Sequence, residues 1–136
     1  MTRALVLAIA LALATGCVHY PTVDEAGGPR IRPENGRAIR GTEGLAVYVD
    51  LHSTGKYGDV LMAAHSPVAR DARVVDQSGA AVTRLEIPGT TVVPLRPGGP
   101  HVRLSNLTRQ PNPGEVIIVT LTFEKSGNLG IVTVVE

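Results

Sequence analysis

A histidine and an arginine stand two residues apart, directly after a rigid turn in the second half of the chain. The turn spans residues 97–100, where two prolines fix the backbone angle φ and two glycines permit left-handed geometry. In the alternating strand that follows, Val102 faces one side while His101 and Arg103 face the other. Such a turn favours ligand chemistry at His101, whereas the simpler interpretation is a hairpin with a surface histidine.

The remaining histidines do not form an obvious metal site. His19 lies close to the N-terminus, while His52 and His65 flank a turn over residues 53–58. A hairpin across this turn would separate these two imidazoles by roughly 13 Å along the ladder, too far to share a metal ion. Alternation places Met62 and His65 on opposite faces, so we expect Met62 to fill the core.

Enzyme signatures are missing from the sequence. It contains no nucleophile elbow, no phosphate-binding glycine loop, no HExxH and no CxxC motif. The carboxylates are scattered without a spacing that suggests acid–base catalysis. We therefore predict that the protein is not an enzyme.

Composition excludes nucleic acid binding. The 13 Lys and Arg nearly balance the 12 Asp and Glu, and the chain has no Trp, three Tyr and one Phe. It thus lacks both the basic surface and the stacking platforms that nucleic acid binding requires. A single cysteine allows no intramolecular disulfide, so the stability of the fold must come from a hydrophobic core.

The N-terminus has the pattern of an export signal. Arg3 precedes an apolar run over residues 4–14, which is too short for a stable membrane span. Small residues lead directly to Cys17, and this arrangement resembles the lipobox of bacterial lipoproteins. The resemblance implies a signal peptide over residues 1–16, a lipid on Cys17, and anchoring to the outer face of a membrane in the cell envelope. The alternative is a plain secretory signal with a leftover thiol.

Residues 17–42 are predicted to be a lipid anchor and flexible tether. Glycines and prolines interrupt this stretch, and its acidic and basic residues cancel without apolar periodicity. A flexible coil of this length would hold the folded domain about 25–30 Å from the membrane. We expect the folded domain to occupy residues 43–136.

The domain is predicted to be an all-β, antiparallel Greek-key sandwich. Apolar residues alternate with polar ones over residues 45–51, and the longest strand pattern covers residues 115–125. About eight short strands separated by turn signals are typical of this fold class. The predicted strands cover residues 45–51, 59–64, 72–75, 81–87, 91–95, a segment from 101, 115–125 and 131–135.

Several segments also resemble one family in the order in which that family carries them. The matching segments are LAVYVDLHSTG (45–55), AAHSPVA (63–69), LRPGGPHVRLSNL (95–107), NPGE (112–115) and VTLTFEKSG (119–127). On these segments, residues 45–136 resemble the periplasmic copper-A chaperones, or PCu(A)C domains, which carry Cu(I) toward cytochrome oxidase assembly. The resemblance implies a cupredoxin-like sandwich.

The family's copper motif is degenerate in this chain. The resemblance implies a histidine after S-P-V-A, a methionine about ten residues later, and a late H-x-M. His101 matches the late histidine, but Arg103 replaces the methionine, and a guanidinium cannot ligate copper. The first histidine position falls on Val75 or, with a one-residue slip, on Asp76; the middle methionine has no counterpart. His101 would be the surviving copper ligand, with His65 and Asp76 as recruits.

Two functions follow from this comparison. In the first, the protein is a membrane-anchored, exported relative of the copper chaperones whose copper binding is weak or rearranged. In the second, it is a binding or structural lipoprotein that keeps the fold without the metal. Its face around His101 and Arg103 would then bind a cell-envelope protein or an anionic partner.

Overall fold

The structure is a computed structural model that describes residues 30–136, in which all regular secondary structure is β-strand. Within this range no helix is long and apolar enough to cross a membrane. The nine strands are β1 (Ile31–Gly41), β2 (Gly44–Ser53), β3 (Asp59–His65), β4 (Ala69–Val75), β5 (Leu85–Ile87), β6 (Thr91–Leu95), β7 (His101–Leu107), β8 (Val116–Phe123) and β9 (Gly127–Val135).

All nine strands belong to one curled sheet. Its order is β4-β7-β2-β1-β9-β8-β3-β5. Strand β6 lies outside this order and pairs with β2 over residues 49–53. Most neighbours are not consecutive in the chain, as in Greek-key folds. The predicted all-β class is confirmed. The pairing of β1 with β9 is parallel, at Arg37 opposite Val134, whereas the other strand pairs are antiparallel.

The core fills the concave side of the sheet. The alternation over residues 45–51 buries its apolar members, and Leu51 is fully buried. On β8 the same alternation buries residues 117, 119, 121 and 123, with Phe123 the largest fully buried side chain. The two alternations that predicted these strands therefore also identify the faces that form the core.

The predicted tether over residues 17–42 is wrong for residues 31–41, because they form β1. Most side chains of β1 are polar and face solvent, while Ile31 and Ala38 are buried in the core. With so few inward apolar residues, the strand showed no apolar periodicity. Residues 1–29, which include Cys17 and the predicted signal peptide, lie outside the described residues.

The predicted hairpin between residues 52 and 65 is also wrong. Strand β2 pairs with β1, β6 and β7, while β3 pairs with β5 and β8. The turn after Ser53 carries the chain from one part of the sheet to another instead of reversing it onto its neighbour. The strand predicted over residues 81–87 is shorter than expected, since β5 starts at Leu85. The expectation that Met62 fills the core is wrong as well, because its side chain is exposed on β3 at the register shift between Leu61 and Ala63.

Gly36 permits the close approach of β1 and β9. A Cβ at this position would lie 2.5 Å from the carbonyl oxygen of Val132 and 2.9 Å from Cγ2 of Ile131. The first atom belongs to the backbone of the neighbouring strand and cannot rotate away. Gly36 therefore sits where any side chain would force β1 and β9 apart.

Gly36→Ala should lower the free energy of unfolding by about 1–3 kcal/mol, because overpacking displaces the backbone of β9. Chemical denaturation measures this change. Gly41→Ala is the matched control within β1, since its added Cβ would meet the carbonyl oxygen of Gly44 at an ordinary 3.8 Å. If both variants lost the same free energy of unfolding, the close approach of β1 and β9 would not be the reason for glycine at position 36.

Asp59 is a buried carboxylate that joins the start of β3 to the turn between β8 and β9. It is 2% exposed. Its oxygens accept hydrogen bonds from the backbone N–H groups of Val60, Lys125 and Ser126 at 2.8–2.9 Å, and from the Ser126 hydroxyl at 2.5 Å. Burial opposes ionisation, but the Ser126 hydroxyl and these backbone donors outweigh it and lower the pKa of Asp59.

Asp59→Asn should lower the free energy of unfolding by about 2–3 kcal/mol at neutral pH, because an amide cannot accept all four hydrogen bonds. Since the folded-state pKa lies below the ordinary 3.8, the carboxylate's stabilisation is fully present above 3.8 and is lost as pH falls through the folded-state value. Urea denaturation between pH 7 and pH 2 should therefore show a shallower acid loss in the variant. The exposed pair Arg84–Glu124 supplies the control Glu124→Gln, which should cost under about 1 kcal/mol. If the unfolding free energy of Asp59→Asn fell with pH as steeply as that of the parent, the stabilising role of the Asp59 carboxylate would be contradicted.

Candidate functional site

His101 is the first residue of β7 and lies opposite Val75 of β4. Its half-buried imidazole places Nδ1 3.0 Å from the carbonyl oxygen of Gly99, within the turn that precedes the strand. Because a carbonyl can only accept, Nδ1 carries the proton and Nε2 of the neutral ring keeps its lone pair. The turn over residues 97–100 therefore fixes the tautomer in which Nε2 can act as a ligand.

An aromatic ring and a cation continue from His101 across the sheet. The centroid of the Tyr48 ring on β2 lies 5.6 Å from that of His101, and the two planes are tilted by 54°. On the other side of Tyr48, the guanidinium carbon of Arg37 on β1 lies 5.8 Å from the ring centroid. The Tyr48 ring thus contacts both the imidazole of His101 and the guanidinium of Arg37.

Arg103 lies on the same face of β7 as His101, as the alternation predicted. Its Nη1 is 3.2 Å from Oε2 of Glu43, a residue in the turn between β1 and β2. Its Nη2 packs against Gly79, where an added Cβ would lie 2.9 Å away. The guanidinium of Arg103, paired with Glu43, therefore occupies the position two residues after His101, where the family motif has a methionine.

The two positions assigned to the family's first histidine lie beside His101. Val75 is directly opposite His101 and is buried, so the register places an aliphatic side chain there. The neighbouring Asp76 closes its own turn: Oδ1 accepts hydrogen bonds from the Ser78 hydroxyl and from the backbone N–H groups of Ser78 and Ala80. These bonds, the one from the Ser78 hydroxyl first, lower the pKa of Asp76.

His65 ends β3 and lies opposite Thr120 of β8, with an exposed side chain. His101 instead belongs to β7, which pairs with β2 and β4. Among residues 30–136, no three His, Cys, Asp or Glu side chains come close enough to hold a metal ion. The structure therefore brings His101 together with Arg103 but does not gather His65 and Asp76 around it as a ligand set.

Sequence reasoning missed four residues at this site: Tyr48, Arg37, Glu43 and Arg73. The alternation over residues 45–51 already placed Tyr48 on the polar face, so its exposure was predictable but its neighbours were not. Arg73 lies opposite Arg103 in the register of β4 and β7. These contacts depend on which strands pair, and strand pairing was not deducible from the local patterns.

A family model described as "Putative lipoprotein LpqE-like" matches residues 25–135, which is most of the chain and includes β1. The chain belongs to the LpqE-like family. None of the curated proteins compared with this LpqE-like chain matches it.

Solved structures share the fold of the LpqE-like domain. The "Copper-bound PCuAC domain from PmoF2" superposes with a TM-score of 0.70 and 24% identity, covering 88% of this chain and 98% of that one. The apo PCuAC domain from PmoF1 gives a TM-score of 0.64 at 24% identity, covering 79% and 88% of the two chains. Cu(I)-DR1885 from Deinococcus radiodurans gives 0.60 at 24% identity, with 80% and 75% covered. The predicted PCu(A)C-type, cupredoxin-like fold is confirmed.

Proposed function

We propose that this LpqE-like domain is a copper-chaperone-like binding domain of the cell envelope, in which His101 is the remaining copper ligand. The observation that carries the proposal is the contact between Nδ1 of His101 and the carbonyl oxygen of Gly99, which reserves Nε2 for coordination. The likeness to a copper-bound PCuAC domain supports copper as the metal. The role is binding rather than catalysis.

The residues around His101 predict that copper binding is weak or uses a rearranged site. Cu(I) prefers thioether and imidazole ligands. Val75 offers no donor atom opposite His101, and Arg103 places a positive charge on the same strand face. The guanidinium opposes a cuprous ion, so affinity should be lower than a complete ligand set would give. His65 and Asp76 remain the proposed recruits only for a rearranged site, because the structure does not gather them around His101.

A second candidate function uses the same face without metal. The guanidinium of Arg103 is 3.2 Å from the carboxylate of Glu43, whose side chain is 71% exposed. This contact favours recognition of an anionic group or of a cell-envelope protein at the face formed by His101 and Arg103. Under this alternative the fold is retained and the copper site is lost.

Export and lipid anchoring complete the proposal. The residues before Cys17 resemble a lipobox, and the description of the matching family includes the word lipoprotein. We propose that residues 1–16 are a signal peptide, and that a lipid on Cys17 holds the protein on the outer face of a bacterial membrane. Because β1 begins at Ile31 and the carbonyl oxygen of Arg30 accepts a hydrogen bond from the backbone N–H of Thr54, the proposed tether must end before residue 30.

A Cu(I) titration against a chromogenic chelator should show binding that His101→Ala weakens by about tenfold or more, the cost of a lost ligand. The chain used should lack residues 1–16 and carry Cys17→Ser, so that no thiol competes for copper. The double variant Val75→His/Arg103→Met should bind Cu(I) more tightly than the parent. His52→Ala is the control, because His52 contacts Glu34 instead. Affinity no better than micromolar and unchanged by His101→Ala would overturn the copper proposal.

Detergent phase partitioning should place the full chain in the detergent phase and Cys17→Ser in the aqueous phase, since acyl chains provide the membrane affinity. Mass spectrometry of the purified protein should show the added acyl mass at Cys17. Equal partitioning of both forms would remove the lipid anchor from the proposal without affecting the copper test.

A further inference from the structure

Two arginines face each other across β4 and β7. Arg73 and Arg103 are direct partners in the antiparallel register, so both side chains leave the same face of the sheet. Like charges placed directly opposite each other destabilise a strand pair. Within residues 30–136 the exposed guanidinium of Arg73 makes no ion pair or hydrogen bond. The repulsion between the two guanidinium groups destabilises the fold, and a bound anion would relieve it.

A cavity of about 330 Å³ opens between these arginines, large enough for a small polyatomic anion. Its lining includes Glu43 and Asp71 as well as Arg73, Arg103 and the hydroxyl-bearing Ser105. The carboxylate of Asp71 keeps its negative charge, but Oδ2 accepts a hydrogen bond from the amide of Asn106. Glu43 is the only acidic group of the lining that contacts an arginine of the pair.

The carboxylate of Glu43 occupies one of the positions at Arg103 that an anion from solution would take. Its Oε2 lies 3.2 Å from Nη1 of Arg103, although it extends from a turn and is 71% exposed. Exposed ion pairs of this kind contribute little free energy, so an anion from solution can replace Glu43. Gly79 lines the same cavity, and a Cβ added there would lie 2.9 Å from Nη2 of Arg103, so the missing side chain leaves room for the guanidinium.

We propose that Arg73 and Arg103 bind an oxyanion, a carboxylate or a phosphate, in the cavity between β4 and β7. Glu43 competes with this ligand for Arg103. Each planar guanidinium can donate two parallel N–H bonds to the oxygens of a carboxylate or phosphate. Two such groups on adjacent strands can donate to different oxygens of one anion. This proposal rests on the second candidate function and does not depend on copper binding at His101.

Isothermal titration of the exported protein, as purified, with inorganic phosphate and separately with malonate tests the site at constant ionic strength. At least one probe should bind, and Arg73→Gln and Arg103→Gln should each weaken that binding about tenfold, the cost of a charge-assisted hydrogen bond. Glu43→Gln should strengthen it several-fold, because the competing carboxylate is gone. The preferred probe distinguishes a phosphate ligand from a carboxylate ligand.

Arg32→Gln is the charge-matched control, since Arg32 is exposed on β1 and is not part of the cavity lining. His52→Ala is a second control and should leave anion binding within about twofold, because His52 contacts Glu34 and is not part of the cavity lining. Amide NMR spectra should confirm that each variant remains folded. Absence of binding for both probes, equal weakening by Arg32→Gln, or no gain in Glu43→Gln would each overturn the proposal, whatever the copper titration shows.

Discussion

Strand β1 joins the two parts of the curled sheet because it pairs along both of its edges. On one edge it runs antiparallel to β2, and on the other it runs parallel to β9. Ala38 fills a fully buried position between them, and Gly36 allows the backbone of β9 to come close. Without this strand, the group β4-β7-β2 would not be hydrogen-bonded to the group β9-β8-β3-β5. The candidate site depends on it as well, because the turn after β1 supplies Glu43.

The fold shared with PCuAC domains does not by itself determine the chemistry of the face that β7 presents. Backbone geometry places residues i and i+2 of β7 on one face, whichever side chains they carry. With His101 and a methionine, that face would suit Cu(I); with His101 and Arg103, it presents an imidazole beside a cation. Because the register also sets Arg73 opposite Arg103, the residue at position 103 adds a second guanidinium to this face where a methionine would add a soft sulfur atom.

Local patterns in the sequence identified the strands whose inward faces are apolar, and they failed where that pattern is weak. The alternation over residues 45–51 and in β8 predicted both the strands and their buried faces. In β1 only Ile31 and Ala38 are buried, so charge and glycine content suggested a flexible segment instead. At the site, the alternation placed His101 and Arg103 on one face. Their contacts with Tyr48 and Glu43 come from strands and turns far away in sequence, and no local pattern encodes such pairings.

The position of β1 between β2 and β9 also determines the order in which the fold can form. Its antiparallel partner follows within a few residues, but its parallel partner is the last strand of the chain. A chain that emerges N-terminus first can therefore form the β1–β2 hairpin early, while one edge of β1 stays open until β9 arrives. Contacts between such distant segments slow folding and leave strand edges exposed in the meantime. Truncation of the final strand would accordingly expose hydrogen-bonding edges on both β1 and β8, leaving the chain prone to pairing with other chains.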